Sequence, residues 1–387
     1  MIPSPRLRHA MAGIGLSLGL SLGLSVGIAA QNTIVVDAAN GPGSSFTDIQ
    51  PAIQAASDGD RILVRAGIYG GFAIDGKGLA ILGEPGVFIQ RLALVEIRNT
   101  TAQQPIALAD LNIDIPYFFF THTVENCDGR VTIERTRLGG FSTPFRFLDC
   151  ADVRITATRA DGGLLFRNSR ATITDSVLMV GPGLTSPHDA LVLEASQVQV
   201  SRSNVLGQSL GFRAVVSAAI ALDANSTVFL TGDGSNTVAA GIGLPKPAIL
   251  GAGRVERDPR VPVIGSNGAP AVVAGQDILR HIPSLSATRA PIGGLVEVDL
   301  AGLPGAAFGL VLGVPGTPTP LPGLAGTVDL GVVLIATSGV MGNGTFHLSL
   351  PPALGLTPGT ELTWQAIASD GIGGFALSNS ATYVRSR

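Results

Sequence analysis

Between about Thr121 and Asp233 one short phrase returns in five copies, and no other feature limits the fold as tightly. The copies read HTVENCDGRVTIERT, FRFLDCADVRITAT, LLFRNSRATITDS, LVLEASQVQVSRS and IALDANSTVFLTGD. Each is two short strands separated by a turn. The apolar positions of the first strand are Val124, Phe147, Phe166, Leu193 and Leu222, at steps of 23, 19, 27 and 29 residues. The second strand carries Val131/Ile133, Val153/Ile155, Ala171/Ile173, Val198/Val200 and Val228/Leu230, two residues apart as a pleat with one buried face requires. A unit this short cannot bury its apolar face alone, so the copies must stack, with loops of unequal length inserted at the turns. Period two, β-branched residues and short segments exclude a helical solenoid, and an antiparallel sandwich would not repeat one phrase in fixed order. The expectation is an all-β chain whose main body, residues 31–243, is a right-handed parallel β-helix.

Stacked coils place equivalent residues in columns about 4.7–4.9 Å apart. One column reads Cys127, Cys150, Ser169, Ser196 and Asn225, and the one before it Asn126, Asp149, Asn168, Ala195 and Ala224. The second is a polar ladder expected to satisfy backbone groups at the turn. Cys127 and Cys150 become neighbours, either as a disulfide or as two buried free thiols. They give no zinc pattern, which would need four close ligands.

The ends differ from the middle. Arg6, Arg8 and His9 precede an apolar run from Met11 to Ile28 that ends in Ala29 and Ala30, the layout of a signal peptide over residues 1–30. No later segment is long and apolar enough to span a bilayer. The expected location is therefore secreted or cell surface, with no membrane span after cleavage. With 25 Lys and Arg against 28 Asp and Glu and no basic cluster, the chain lacks the charge of a nucleic-acid binder. Ile49, Ile53 and Ala56 lie at helical spacing, with Thr47 or Ser45 as the expected cap, and this short helix would cover the open end of the solenoid. Residues 244–284, rich in Pro and Gly, read as a connection. From 285 to 387, runs such as LVEVDL, AFGLVLG, GTFHLSL and ELTWQAIA read as a small β-sandwich with Trp364 in its core.

Phe46, Thr47, Ile49, Gln50, Ala52 and Ile53, then Asp58, Gly59 and Asp60, then Gly67 and Tyr69, resemble the amino-terminal cap and first coil of pectin-methylesterase-like and other pectin-lyase-like β-helix proteins. The resemblance implies the fold; that fold hosts lyases, hydrolases, esterases and non-catalytic surface proteins. The esterase's functional residues do not carry over: Gly70-Gly71-Phe72 stands where an acidic residue belongs, and Gln276-Asp277-Ile278-Leu279, which looks like one catalytic phrase, is expected beyond the repeats and off the β-helix face. The stretch GTFHLSLPPALGLTPGTELTWQAIASD, followed by ALSNS, resembles a carboxy-terminal domain appended to large exported bacterial proteins.

One catalytic constellation can be built. Outward positions of the first strand form a column Glu125, Leu148, Arg167, Glu194 and Asp223, which would put two carboxylates, Glu194 and Asp223, about 5 Å apart on adjacent coils. That separation suits glycoside cleavage by an acid and a nucleophile. Arg167, His188 and Asp189 are candidates for holding a substrate beside them. The bland alternative is an Arg167/Glu194 surface ion pair with Asp223 solvated. Outward Thr132/Glu134, Arg154/Thr156, Thr172/Thr174, Gln199/Ser201 and Phe229/Thr231 form a flat polar ladder that could bind a polysaccharide or be an ordinary solvated face. An exposed pair among Tyr117 to Phe120 would be a further binding patch. No cofactor or metal motif is present, although scattered outward carboxylates could hold calcium without one. The leading expectation is a non-catalytic exported surface or extracellular protein that binds polysaccharide or other cell-surface components. The alternatives are a polysaccharide-active lyase, glycoside hydrolase or esterase, and a structural or adhesive part of the envelope.

Overall fold

The computed structural model describes residues 32–384 apart from 91–93, 114–120, 140–142, 181–188, 211–214, 288–295, 323 and 351–360. The expected signal peptide, the Tyr117 to Phe120 patch and His188 lie outside the described residues. Residues 32–279 wind into a parallel β-solenoid of three sheets with eleven, nine and nine strands, about nine turns in all. One coil shows the path. Val131–Glu134 lies in the first sheet, Arg137–Leu138 in the second and Phe145–Cys150 in the third, before Val153–Thr156 returns to the first. Coils pair in register: Val131 stands beside Val153, then Ala171, Val198, Val228 and Val255. All of these inward residues are buried, as are Val124, Phe147, Phe166, Leu193 and Leu222. The repeat phrase is thus the core of the solenoid, read coil by coil.

The corners follow one local rule. Asn99, Asn126, Asp149, Asn168 and Ala195, and at the next corner Asp110, Arg135, Ala157, Asp175 and Arg202, all have positive φ between 45° and 59°. Asn and Asp tolerate this region better than other non-Gly residues. The sharp bend frees one N–H and one C=O per coil, and the next residue satisfies both. Ser169 Oγ accepts from Cys150 N at 3.0 Å and donates to Arg167 O at 2.7 Å. Ser196 and Ser176 repeat the arrangement. Outside this, side-chain amides and carboxylates join between coils, with Asn168 Nδ2 donating to Asp149 Oδ1 at 2.7 Å. The hydroxyl column ends in Ser226 rather than the expected Asn225, because Thr227 pairs with Gln197 and so places Ser226 over Ser196. The corner at Asp223 to Ser226 is one residue longer than the sequence spacing suggested.

At the amino-terminal end the helix spans Ile49–Ala55 and buries Ile49, Ala52 and Ile53. Its cap is Asp48, whose carboxylate accepts from Ile49 N at 2.8 Å and from Gly70 N at 3.3 Å, not Thr47 or Ser45. The recognisable phrase around it consists of structural fasteners. Gln50 Oε1 accepts from Ala73 N, Asp60 accepts from Asn32 N and Ser57 N, and the Tyr69 hydroxyl donates to Arg65 O while accepting from Ala38 N. Gly59 has a φ of 84°, as its turn requires. The residues carrying the resemblance therefore fasten the closed end of the solenoid.

The coils continue past residue 243, where the connection was expected to begin. Ile249–Gly251, Arg254–Arg257, Val263–Ile264, Val272–Val273 and Gln276–Leu279 each pair with the preceding coil. Gln276–Leu279 is the last strand of the first sheet, not a segment off the β-helix face. The phrase fades because these strands shorten and because Asp277 stands opposite inward Val255, where it pairs with Arg257 at 2.9 Å.

The C-terminal region forms two sheets, one of Ser284–Ala287, Val296–Ala301 and Thr345–Leu350, the other built on Ala307–Pro320, Thr327–Val340 and Glu361–Ser369. Leu285, Val298 and Leu300 of the first meet Phe308, Leu310 and Trp364 of the second in one core.

Candidate functional site

The outward column of the third sheet is in register as expected: Asp75, Arg98, Glu125, Leu148, Arg167, Glu194. Its charges pair along the column. Arg98 Nε lies 3.0 Å from Asp75, and Arg167 Nε lies 2.5 Å from Glu194 Oε2. The hydrogen bond that Arg167 donates to Glu194 raises the Arg167 pKa further. Asp223 does not join Glu194. Its strand ends at Leu222, and the carboxylate turns into the corner, accepting from Ala195 N at 2.9 Å, Asn225 N at 3.2 Å and Ser226 Oγ at 2.6 Å. Asp189 accepts from Ala218 N at 2.7 Å. One candidate carboxylate thus sits in an ion pair while the other serves the backbone of the corner.

Cys127 and Cys150 stand opposite each other on adjacent strands, both buried and with their sulfurs unlinked in this structure.

The outward face of the first sheet holds what sequence reasoning missed. Thr132, Arg154, Thr172, Gln199, Phe229 and Glu256 follow one another in register, and all but Thr132 are buried. The C-terminal region lies on them. Phe229 packs with Ile282, Ala325 and Ala376, Ser201 Oγ donates to Asn379 Oδ1 at 3.1 Å, and Arg154 Nη1 reaches Ser380 Oγ at 3.3 Å. Farther along, Arg280 bridges Glu256 and Asp370 at 3.3 and 3.5 Å. The ladder, expected to be either a polysaccharide-binding or a solvated face, is therefore covered over its later coils. The signal was Phe229, an aromatic ring in a column that otherwise reads polar.

Over the earlier coils the same face stays open and becomes the floor of a groove of about 600 Å³. Ala80, Ala107 and Thr132 form one row of its floor and Leu82, Ala109, Glu134 and Thr156 the next, one step per coil. Asn379, Ser380 and Ala381 of the C-terminal region wall one side. Along the corner, Arg135 pairs with Asp110 and Glu134, and Arg202 with Asp175. These ion pairs balance the charge along that corner, while Arg61 extends the Ala80 row of the floor. The volume lies within the usual range for ligand pockets.

A second polar cluster sits on the C-terminal region. His347 Nδ1 lies 2.7 Å from Asp299 Oδ1 and its Nε2 lies 2.7 Å from Glu297 Oε2. The hydrogen bond to Asp299, then the charges of Asp299 and Glu297, hold the imidazole above the ordinary histidine value of 6.5. A raised folded-state value means that the stabilisation is fully present below pH 6.5 and fades as pH rises through the folded value. A proton NMR titration should find the His347 midpoint above 6.5, and Asp299→Asn should lower it. A midpoint unmoved by that substitution would contradict the pairing.

No protein-family model matches the chain, and no curated protein matches it either. Among solved structures it is similar to chitinase ChiW from Paenibacillus sp. str. FPU-7, a bacterial cell-surface-expressed multi-modular enzyme, at 11% identity and a TM-score of 0.16. The match covers 83% of this chain and 24% of that one, so the chain spans about a quarter of that protein's length. A similarity at this level carries no argument about fold or activity.

Proposed function

We propose that the protein is an exported, non-catalytic β-solenoid protein of the pectin-lyase-like class that holds a polysaccharide strand in the groove on its first sheet. The groove itself carries this reading. Successive coils, about 4.8 Å apart, present Ala80 and Leu82, then Ala107 and Ala109, then Thr132 and Glu134, a repeat close to the length of one sugar unit. Ala80, Ala107 and Ala109 let a flat chain approach the backbone closely. Arg135 and Arg202 at the rim are already paired, which favours a neutral or weakly charged polymer over a polyanion. Glu194 and Asp223, bound to Arg167 and to the corner backbone, support a binding role over a hydrolytic one. Export rests on the signal-peptide pattern of residues 1–30, and the C-terminal region is read as a β-sandwich like those appended to exported bacterial proteins.

The test is retention on a panel of neutral and acidic polysaccharides by protein lacking residues 1–30, with new reducing or unsaturated ends recorded in parallel. We expect retention on a neutral glycan without products, and at least a tenfold loss for Ala107→Trp, which fills the groove floor. Equal retention by that variant would move the ligand elsewhere. Product formation would replace this reading with the enzyme, and no retention on any glycan would leave a structural envelope component.

A further inference from the structure

We infer that Cys127 and Cys150 form a dithiol that closes into a covalent link between two neighbouring coils in an oxidising environment. The two residues are register partners on adjacent parallel strands, Thr123–Cys127 and Phe145–Cys150. Strands in such a sheet lie about 4.8 Å apart, and disulfides span Cα separations of roughly 4.4–6.8 Å. Both residues are buried, at 0% and 1% exposure, and both belong to the inner corner column that other coils fill with Thr100, Ser169, Ser196 and Ser226. Hydroxyls serve the corner fully, since Ser169 and Ser196 accept one N–H and donate to one carbonyl. Each thiol keeps half of that pattern, with Cys127 Sγ 3.3 Å from Glu125 O and Cys150 Sγ 3.4 Å from Leu148 O. The local geometry therefore does not require sulfur, yet sulfur occupies two consecutive rungs and no others.

The pair is also chemically asymmetric. The hydrogen bond from Cys150 draws the Cys127 thiol down to about 7, with Thr100 adding to the effect against burial. Donating that bond, together with burial, pushes Cys150 up. Cys127 is thus the more acidic sulfur in the closed coils; once they open either sulfur can attack first, here Cys127. Its thiolate displaces one thiolate from a low-molecular-weight disulfide, forming a mixed disulfide. Cys150 then loses its proton to water and attacks Cys127 Sγ, releasing the second thiolate and forming the Cys127–Cys150 bond. The external disulfide is reduced by two electrons as the pair is oxidised. Because both sulfurs are buried, the exchange takes place while these coils are open and is sealed when they close.

Full-length protein should be refolded in glutathione buffers, oxidised or reduced, then quenched with acid, unfolded and alkylated. In the oxidised buffer we expect loss of two hydrogens, no alkylated cysteine, a cross-linked peptide joining Cys127 to Cys150, and a thermal transition several degrees above the reduced form. Cys127→Ser combined with Cys150→Ser keeps the hydroxyl column and should melt at the same temperature in both buffers. Two alkylatable thiols after oxidation would overturn the inference. So would an oxidised form that melts no higher than the reduced one, or the same shift in the double variant.

Discussion

Phe147→Ala is expected to lower the stability of the solenoid by about 3–5 kcal/mol, the range for removing a fully buried phenylalanine ring. Phe147 is 0% exposed and lies between Phe145, at a centroid distance of 5.3 Å, and Phe166, at 4.8 Å with ring planes 10° apart. Most cores soften such a loss by letting neighbours move in. Here that relaxation is restricted, because the flanking strands are paired on both sides and the next ring is fixed by its own coil. Two stacked ring contacts, each adding roughly 0.5–1.5 kcal/mol beyond burial, disappear together. Urea unfolding followed by circular dichroism would measure the change. A loss under about 1 kcal/mol would mean that the coils collapse inward more freely than the pairing implies.

Asp258→Ala should be comparably severe, about 3–5 kcal/mol, for an electrostatic reason. Asp258 is completely buried at the corner that follows Arg254–Arg257, one coil before the solenoid ends. Its carboxylate accepts from Arg260 N and Nε at 2.9 and 2.8 Å, from Arg260 Nη2 at 2.9 Å, and from Ile282 N at 2.9 Å. Arg260 in turn donates to Gly302 O, and Ile282 packs on Phe229. Removing one carboxylate leaves a guanidinium and a buried N–H without their acceptor, and loosens the first residues of the C-terminal region from the solenoid. Limited proteolysis should show new cleavage near residues 281–284 together with a lowered unfolding midpoint. Asp258→Asn, which retains one acceptor, should lose less. An Asp258→Ala protein that resists protease like the wild type would show that the C-terminal region is held by its other contacts alone.

The sequence made the inside of the solenoid legible and left its outside hidden. Val131 through Val228 could be aligned because inward positions must be apolar and recur at a fixed place in each coil. The corner ladder was legible for a related reason, since Asn126, Asp149 and Asn168 suit the left-handed bend. Where that pressure relaxes, reading failed. Past residue 243 Asp277 takes an inward register position, and the final coils looked like a connection. Outward residues carry no such signature. Nothing in Thr172 or Gln199 says whether water or another sheet lies above, and only Phe229 hinted at the cover. A corner one residue longer turned Asp223 toward the backbone, and corner length is set by local hydrogen bonding that periodicity does not reveal.

The way the C-terminal region lies across the coils has a consequence for the order in which the protein can assemble. A bare solenoid grows turn by turn, each coil needing only the one beneath it. Here Arg130 donates to Gly316 O, 186 residues away, and Arg154 to Ser380, 226 residues away. Contacts that distant are slow to find. These coils must therefore wait with Arg154, Gln199 and Phe229 uncovered until the last strands have formed, and the finished surface of the middle of the molecule is the last part of it to exist.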